Sequence, residues 1–350
     1  MPPSRIAALL SSALLLALPA SAAEVTDMPG AMGFDGVFSY GGAFEFGGLE
    51  EAGEIVGRRS MSRQDLALTL EFAPVQYVAA HVSLQLTPSL RYGFADARLM
   101  NYDPVTASGS YIFGEELAEV PVFQGSGLAG VWLGVVGAPF AERFETGDRV
   151  TWKLLAAVRP GSPNKSFYTA TDGSRGVGGG TGLRFGAAFS RELEGSNPYM
   201  SWRIQHETPL TIDVVDADGV TWIEGATLKP PTTIDVEAGV EVLATEDDDT
   251  RFAVDPSILF GYRSWEDAPS GLYLPNVLDA SRVLVGTRGE YYWIGLGLAL
   301  DLRVQQQLGI RVGGDLRYLS PHTIDSIYAV RTAGDTLGAT VSMSVRGSYR

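Results

Sequence analysis

Twelve residues, WIGLGLALDLRV from Trp293 to Val304, constrain the fold of this chain more than any other stretch, because they alternate without a slip. Ile294, Leu296, Leu298, Leu300, Leu302 and Val304 share one side, and Trp293, Gly295, Gly297, Ala299, Asp301 and Arg303 share the other. A period of two belongs to a strand, whose successive Cβ atoms point to opposite sides of the pleat. A soluble sandwich would bury the aliphatic side and dress the other in Thr, Lys and Glu. Here the second side is mostly glycine and alanine, ending in an Asp and an Arg. The question is what solvent the six aliphatic side chains meet.

The pattern recurs along the chain. Candidate strands cover 34–46, 64–72, 76–94, 127–137, 150–158, 182–190, 199–205, 234–243, 251–262, 291–304, 308–318 and 337–349. Most approach the ~9–11 residues that a tilted strand needs to cross a bilayer. Apolar positions line up as Leu66, Leu68, Leu70 and Phe72, then Val78, Ala80, Val82, Leu84 and Leu86, then Val341, Met343, Val345 and Tyr349. The opposite sides collect the charges, among them Glu45, Asp65, Glu71, Lys153, Arg184, Arg203, Asp235, Glu237 and Glu241. Asp255, Asp301, Arg303, Arg311, Asp315, Arg317 and Arg346 follow the same phase. A charge turned to the midplane of a bilayer costs a barrel ~2–4 kcal/mol, whereas one turned to a watery lumen costs little. That difference accounts for the segregation. Pro256 disagrees: within the ninth candidate strand it cannot donate to a ladder, which predicts a bulge or a division into two shorter segments.

Composition narrows the class. Glycine supplies 42 of 350 residues, and no helix-period segment of convincing length follows the first two dozen positions. The formal net charge of −15 and the lack of a Lys/Arg cluster exclude nucleic acid as a partner. There is no cysteine, so neither a disulfide framework nor a lipid-anchored cysteine is available. At the start, MPPSR, the apolar run Ile6 to Ala17 and the small residues Ala20-Ser21-Ala22 have the layout of a secretory signal. The predicted organisation is a signal over 1–23 and a single transmembrane barrel domain over 24–350.

Connections alternate between short and long. The short ones lie near Pro74 and at AERFETGDR, ELEGSN, TEDDDT and QQQ, and the long ones at 47–63, 95–126, 159–181, 206–233, 263–290 and 319–336. Outer-membrane barrels have short periplasmic turns and long outer loops. Within 206–233, TIDVV and VTWIE flank Asp218-Gly219, a hairpin-turn signal. Tyr77, Tyr92, Phe94, Tyr199, Trp202, Tyr262, Trp265, Tyr291, Tyr292, Trp293, Tyr318 and Tyr349 fall near strand ends, where aromatic girdles form.

The leader, the alternating strands, the alternating loop lengths and the last strand ATVSMSVRGSY resemble the Gram-negative outer-membrane β-barrel superfamily of porin- and channel-like proteins. Such chains usually stop on the aromatic, whereas Arg350 follows Tyr349 here. The resemblance implies an all-β fold: a transmembrane antiparallel up-and-down barrel of about twelve strands, within a range of about 10–14. It also implies residence in the outer membrane, contact with the lipid bilayer and lipopolysaccharide, and insertion by the barrel-assembly machinery. Self-association is left open, and no cofactor is implied.

The chemistry-bearing residues point to transport and not to catalysis. His81 and Ser83 sit two apart on one inward face, a spacing similar to that of outer-membrane phospholipases, but the flanking asparagine is missing and the pair would face the lumen. A hydrogen-bonded lumen histidine is the favoured interpretation. His206 and His322 fall in or beside loops with no second ligand at metal spacing, and Asp247-Asp248-Asp249 and Asp216-Ala217-Asp218-Gly219 do not match a calcium loop. GVGGGTG at 176–182 lacks the Lys and the helix of a phosphate-binding loop.

The informative set is the inner charge. Lys153, Arg159, Arg184 and Arg203 fall on strands five to seven, and Asp235, Glu237, Glu241 and Asp255 on strands eight and nine, so basic and acidic sectors adjoin. With Asp301, Arg303, Arg311, Asp315, Arg317 and Arg346 they are the predicted lumen-lining and selectivity residues. In a channel such a field orients dipolar solutes and tunes ion preference. The predicted function is a passive channel for small polar or charged solutes, with an outer loop such as 95–126 folding inward. The alternatives are a closed barrel whose opposite charges pair across a narrow lumen and whose loops bind a partner, and a channel for hydrophobic compounds. The last would need an N-terminal plug, and 24–33 is short for one.

Overall fold

The computed structural model describes residues 26–51, 54–96, 102–103, 108–109, 120–139, 150–161, 166–168, 180–215, 221–246, 250–265, 272–275, 282–304, 307–326 and 330–349. The proposed leader over 1–23 lies outside them. The wall consists of β1 (Phe34–Glu51), β2 (Glu54–Val75), β3 (Val78–Asp96), β4 (Val120–Gly137), β5 (Trp152–Arg159) and β6 (Gly182–Ser190). It continues with β7 (Ser196–Glu207), β8 (Thr233–Glu246), β9 (Thr250–Arg263), β10 (Tyr291–Val304), β11 (Leu308–Leu319) and β12 (Val330–Tyr349). Each strand pairs antiparallel with its neighbours in sequence, and β12 closes on β1 with Phe34 opposite Tyr349. All twelve predicted strands are present, and no edge is left at the seam. Closure is what hydrocarbon requires, because an unpaired backbone N–H or C=O there has no water to bond.

The outward side of β10 answers the opening question. Leu296 is 69% exposed, Leu298 56% and Leu300 45%, while Trp293, Ala299 and Asp301 behind them are buried. Among the described residues no second sheet or helix covers these leucines. The same division runs around the barrel, with Phe38, Val82, Phe185, Ile258, Val312 and Met343 exposed on the outside and His81, Arg184, Asp255, Arg311 and Ser342 buried inside. An exposed aliphatic belt of this extent on a closed barrel marks a hydrocarbon-facing surface.

The strands outrun their predicted bounds. Over 47–63, predicted as a long loop, β1 and β2 stay paired as far as Glu51 opposite Glu54. Over 319–336, predicted likewise, His322–Ser326 pairs with β12 and is followed in the sheet by Arg282–Arg288 and Leu272–Pro275. Leu272–Pro275 also meets β4, so this outer sheet reaches from one side of the rim to another. Pairing continues beyond the aliphatic belt because a hairpin satisfies its backbone wherever it runs. The wall is consequently uneven, from 22 residues in β2 down to 8 in β5. The predicted hairpin forms between Leu210–Val215 and Thr221–Leu228, its turn lying outside the described residues. So do Asp247-Asp248-Asp249 and most of 95–126.

Pro256 produces neither a bulge at its own position nor a division of the strand. β9 runs unbroken through it; pairing with β8 lapses after Gly239 opposite Ser257 and resumes in the same register at Val242 opposite Val254. On the other side Pro256 still faces Leu298. The missing N–H therefore falls on the β8 side, and the register shift lies further along, between Leu243 and Thr245. Three residues assigned to the girdle turn inward instead: Tyr199, Tyr291 and Trp293 are buried, whereas Trp202, Tyr292, Tyr318 and Tyr349 are exposed. Strand parity decided this, and Trp293 fits inside because its indole occupies the place a Cβ would take at Gly261 on the neighbouring strand.

Residues 26–33, short as they are, lie across the mouth at the short-turn end. The Val150 N–H donates to the Thr26 carbonyl at 3.1 Å, and the Met32 N–H donates to the Ala73 carbonyl at 2.7 Å. Between these ties Met28 is fully buried against Ala73, Ala79, Val136, Ala138 and Val150.

A depth-dependent cost of charge separates a lipid-facing exterior from an ordinary protein surface. Leu298→Arg at mid-wall is expected to destabilise the barrel by ~2–4 kcal/mol, and Leu308→Arg at the strand end by ~0–1 kcal/mol, measured by denaturant unfolding in lipid vesicles.

Candidate functional site

Inside the belt, parity delivers a charged lining. Every residue of the predicted set from Lys153 to Arg346 lies on the inward-facing phase of its strand, and the structure shows what each meets. At the seam between the basic and acidic sectors Arg203 on β7 stands opposite Asp235 on β8, with Nη2 donating to Oδ2 at 2.7 Å. Arg159 pairs with Glu207 at 2.6 Å. Arg184 lies over the Trp132 ring, its Cζ 3.9 Å from the centroid, and donates from Nη2 to Gln205 at 3.0 Å. Trp132 is fully buried and donates from Nε1 to Gln85 at 3.0 Å.

The acidic sector is equally engaged. Arg251 and Glu241 lie 2.5 Å apart, with Asn197 donating to the same carboxylate oxygen at 2.8 Å. Arg311 bonds Asp255 and lies 3.6 Å from Asp301. Tyr199 donates to Asp255 at 2.8 Å, and its oxygen stands 3.2 Å from Glu237. Arg317 pairs with Asp315, two residues away on β11, at 2.5 Å, and Thr340 also donates to Asp315.

A third group gathers at the short-turn end. Asp27 takes Arg303 at 3.4 Å and Arg346, and Arg346 also bonds Asp35 at 2.8 Å. Lys153 reaches from β5 past β4 and β3 to Glu71 on β2 at 3.1 Å, and donates to the Asp27 carbonyl at 2.6 Å. One backbone segment thus receives cations from three strands of the wall. His81 shares Glu71, with Nδ1 3.0 Å from Oε1, while Ser83 bonds Thr69 at 3.1 Å. The two residues of the phospholipase-like spacing turn to separate partners. His206 stands 2.8 Å from Thr232, and His322, expected in or beside a loop, begins a strand, is buried and stacks on Tyr291 at 4.5 Å. Among the described residues no group of three His, Asp or Glu side chains is placed to hold a metal ion.

Between these clusters lies a cavity of about 330 Å³. Lys153, Leu155, Arg203, Glu237, Leu259 and Trp293 are among its walls. Small residues make the room: Gly186 and Ala188 face it from β6. Asp27, Asp35, Arg251, Glu207 and Trp132 take part without having been among the predicted lining. Asp35, Arg251 and Glu207 follow their strands' inward phase at strand ends, Glu207 beyond the candidate strand 199–205. Asp27 precedes the first strand and carries no periodic signal.

The fold and its lining define a closed, twelve-stranded antiparallel β-barrel with a hydrocarbon-facing exterior and an ion-paired interior around a cavity. No protein-family profile and no curated protein matches the chain. Among solved structures it is similar to an outer membrane channel from Pseudomonas putida F1, at 9% identity over 95% of this chain and 100% of that one, with a TM-score of 0.46. It is also similar to a Pseudomonas aeruginosa FadL homologue, at 11% identity over 96% of each chain and a TM-score of 0.41. The outer membrane protease OmpT from Escherichia coli follows at 6% identity over 91% of this chain and 97% of that one, with a TM-score of 0.33. These values leave the substrate of each with its own protein.

Removing one partner of a buried ion pair leaves the other charge desolvated, at a cost of about 3–5 kcal/mol. Arg311→Met is expected to lose about that much in denaturant unfolding, because Asp255 and Asp301 both rely on it; adding Asp255→Leu should recover part of the loss.

Proposed function

We propose that this chain is an outer-membrane channel through which small polar or charged solutes pass passively, without chemistry on the solute. The observation that carries this reading is the cavity on the inner side of the wall, lined by charged side chains of both signs from several strands. A solute crossing it meets fixed charges at close range, in surroundings of lower dielectric than bulk water, where they act more strongly. The paired residues hold the field in place, and the lining residues named above set it. Export by a cleaved leader belongs to the same proposal.

The strap over residues 26–33 narrows the periplasmic end. Its hold is electrostatic at Asp27 and apolar at Met28, so it is the part of the conduit that a single substitution loosens. A second reading, a closed barrel that presents its outer strands to a partner, draws on the same strap and on the outer sheet from β12 to β4.

Single-channel recording in planar bilayers separates the two. The channel reading expects discrete conductance steps from the wild-type protein and larger steps from Asp27→Ala, which removes the carboxylate tying the strap to Arg303 and Arg346. Silence from both folded proteins would establish the closed barrel instead. Glu241→Gln is expected to lower stability with little change in ion selectivity, since Glu241 is buried against Arg251 and Asn197.

A further inference from the structure

The carboxylates around the cavity are not equivalent. Asp235, Glu241, Asp255 and Asp315 each hold an arginine. Glu237 lies between them on β8, lines the cavity, and among the described residues has no cationic nitrogen within ion-pairing distance. Its hydrogen bonds are to two hydroxyls, those of Tyr199 and Ser257, and Arg311, held by Asp255 and Asp301, attracts it only from beyond ion-pairing distance. The Tyr199 hydroxyl has one proton, and Asp255 is nearer to it, at 2.8 Å against 3.2 Å for Glu237. Glu237 is therefore a carboxylate facing open space with its donors incomplete.

Two further features narrow what completes it. The cations on the same cavity wall are already engaged, Lys153 by Glu71, Arg203 by Asp235 and Arg317 by Asp315, so an anionic guest would meet Glu237 with no cation to spare. The wall beside Glu237 is apolar, with Leu259, Leu155 and Trp293 facing the same space. A divalent metal ion fits poorly, because it asks for about six or more oxygen ligands and the site offers one carboxylate and two hydroxyls. A cation with a carbon body fits both the charge and the wall. The volume, about 330 Å³, sits at the small end of the ~300–1,000 Å³ typical of ligand sites.

We infer that Glu237 is the recognition point for a small organic cation, a primary ammonium group on a short carbon chain, held with its ammonium on the carboxylate and its body against Leu259 and Trp293. Its role as a station on the solute path rests on the channel reading above; the binding itself does not.

The test uses n-butylammonium chloride as the probe and sodium butyrate as its anionic counterpart, on the detergent-purified full chain. Saturation-transfer NMR is expected to show butylammonium bound by the wild type and by Glu237→Asp, weakened about tenfold or more in Glu237→Gln, as loss of a charged hydrogen bond implies. Butyrate is expected to show nothing. In bilayers, butylammonium should reduce the potassium current of the wild type and leave that of Glu237→Gln unaffected. Equal binding to the wild type and Glu237→Gln, or preferred binding of butyrate, would overturn the inference. Charge-dependent binding by a protein that never conducts would uphold the site and remove the channel; conduction with binding indifferent to residue 237 would do the reverse.

Discussion

Every backbone donor and acceptor that faces hydrocarbon has to find its partner inside the protein, and the rest of this structure follows from that requirement. A sheet meets it only by closing, so β12 returns to β1 and the strand ends Phe34 and Tyr349 face one another. Once the wall is closed, the pleat makes one side of each strand lipid-facing and the other lumen-facing. Leu296, Leu298 and Leu300 are outside for the same reason that Asp301 is inside. Even the proline is governed by it: Pro256 is accommodated where one neighbour gives up a bond while the other keeps the register.

The lumen inherits a second problem from the first. Charges are turned inward because lipid is worse for them, yet a twelve-stranded bore is only modestly wider than one that side chains fill. Brought together with little water, they neutralise one another, some directly across the ladder as Arg203 and Asp235 do, others by long reaches such as Lys153 to Glu71. The adjoining basic and acidic sectors thus become a network of pairs, and what functional asymmetry persists lies in the exceptions. Glu237, which has hydroxyls where its neighbours have guanidinium groups, is the clearest of them. The N-terminal strap uses the same currency at the mouth, with Asp27 answering cations contributed by several strands.

Much of this was legible in one dimension, because a period of two is a local property. Strand number, inward and outward sides, the hairpin at Leu210–Leu228 and the inward phase of the lining charges all follow from counting residues. Other features were not legible, for physical reasons that differ. Tyr199, Tyr291 and Trp293 share composition with girdle aromatics, and only their parity distinguishes them. The protruding hairpin of β1 and β2 carries arginines and polar residues that look like loop, since beyond the aliphatic belt neither side needs to be apolar. Asp27 sits in a segment with no repeat to read.

The sequence by itself determined that the chain is a β-barrel with greasy outer and ionised inner sides, since those are fixed by the geometry of one strand and the solvent on either side of it. Tertiary structure decided which charges meet, how far each strand rises, and that Thr26 to Gly33 lies across one mouth. Such facts depend on register, reach and closure between residues far apart in the chain: Asp27 and Arg346 are separated by nearly the whole sequence, and only the closed ring brings them into contact.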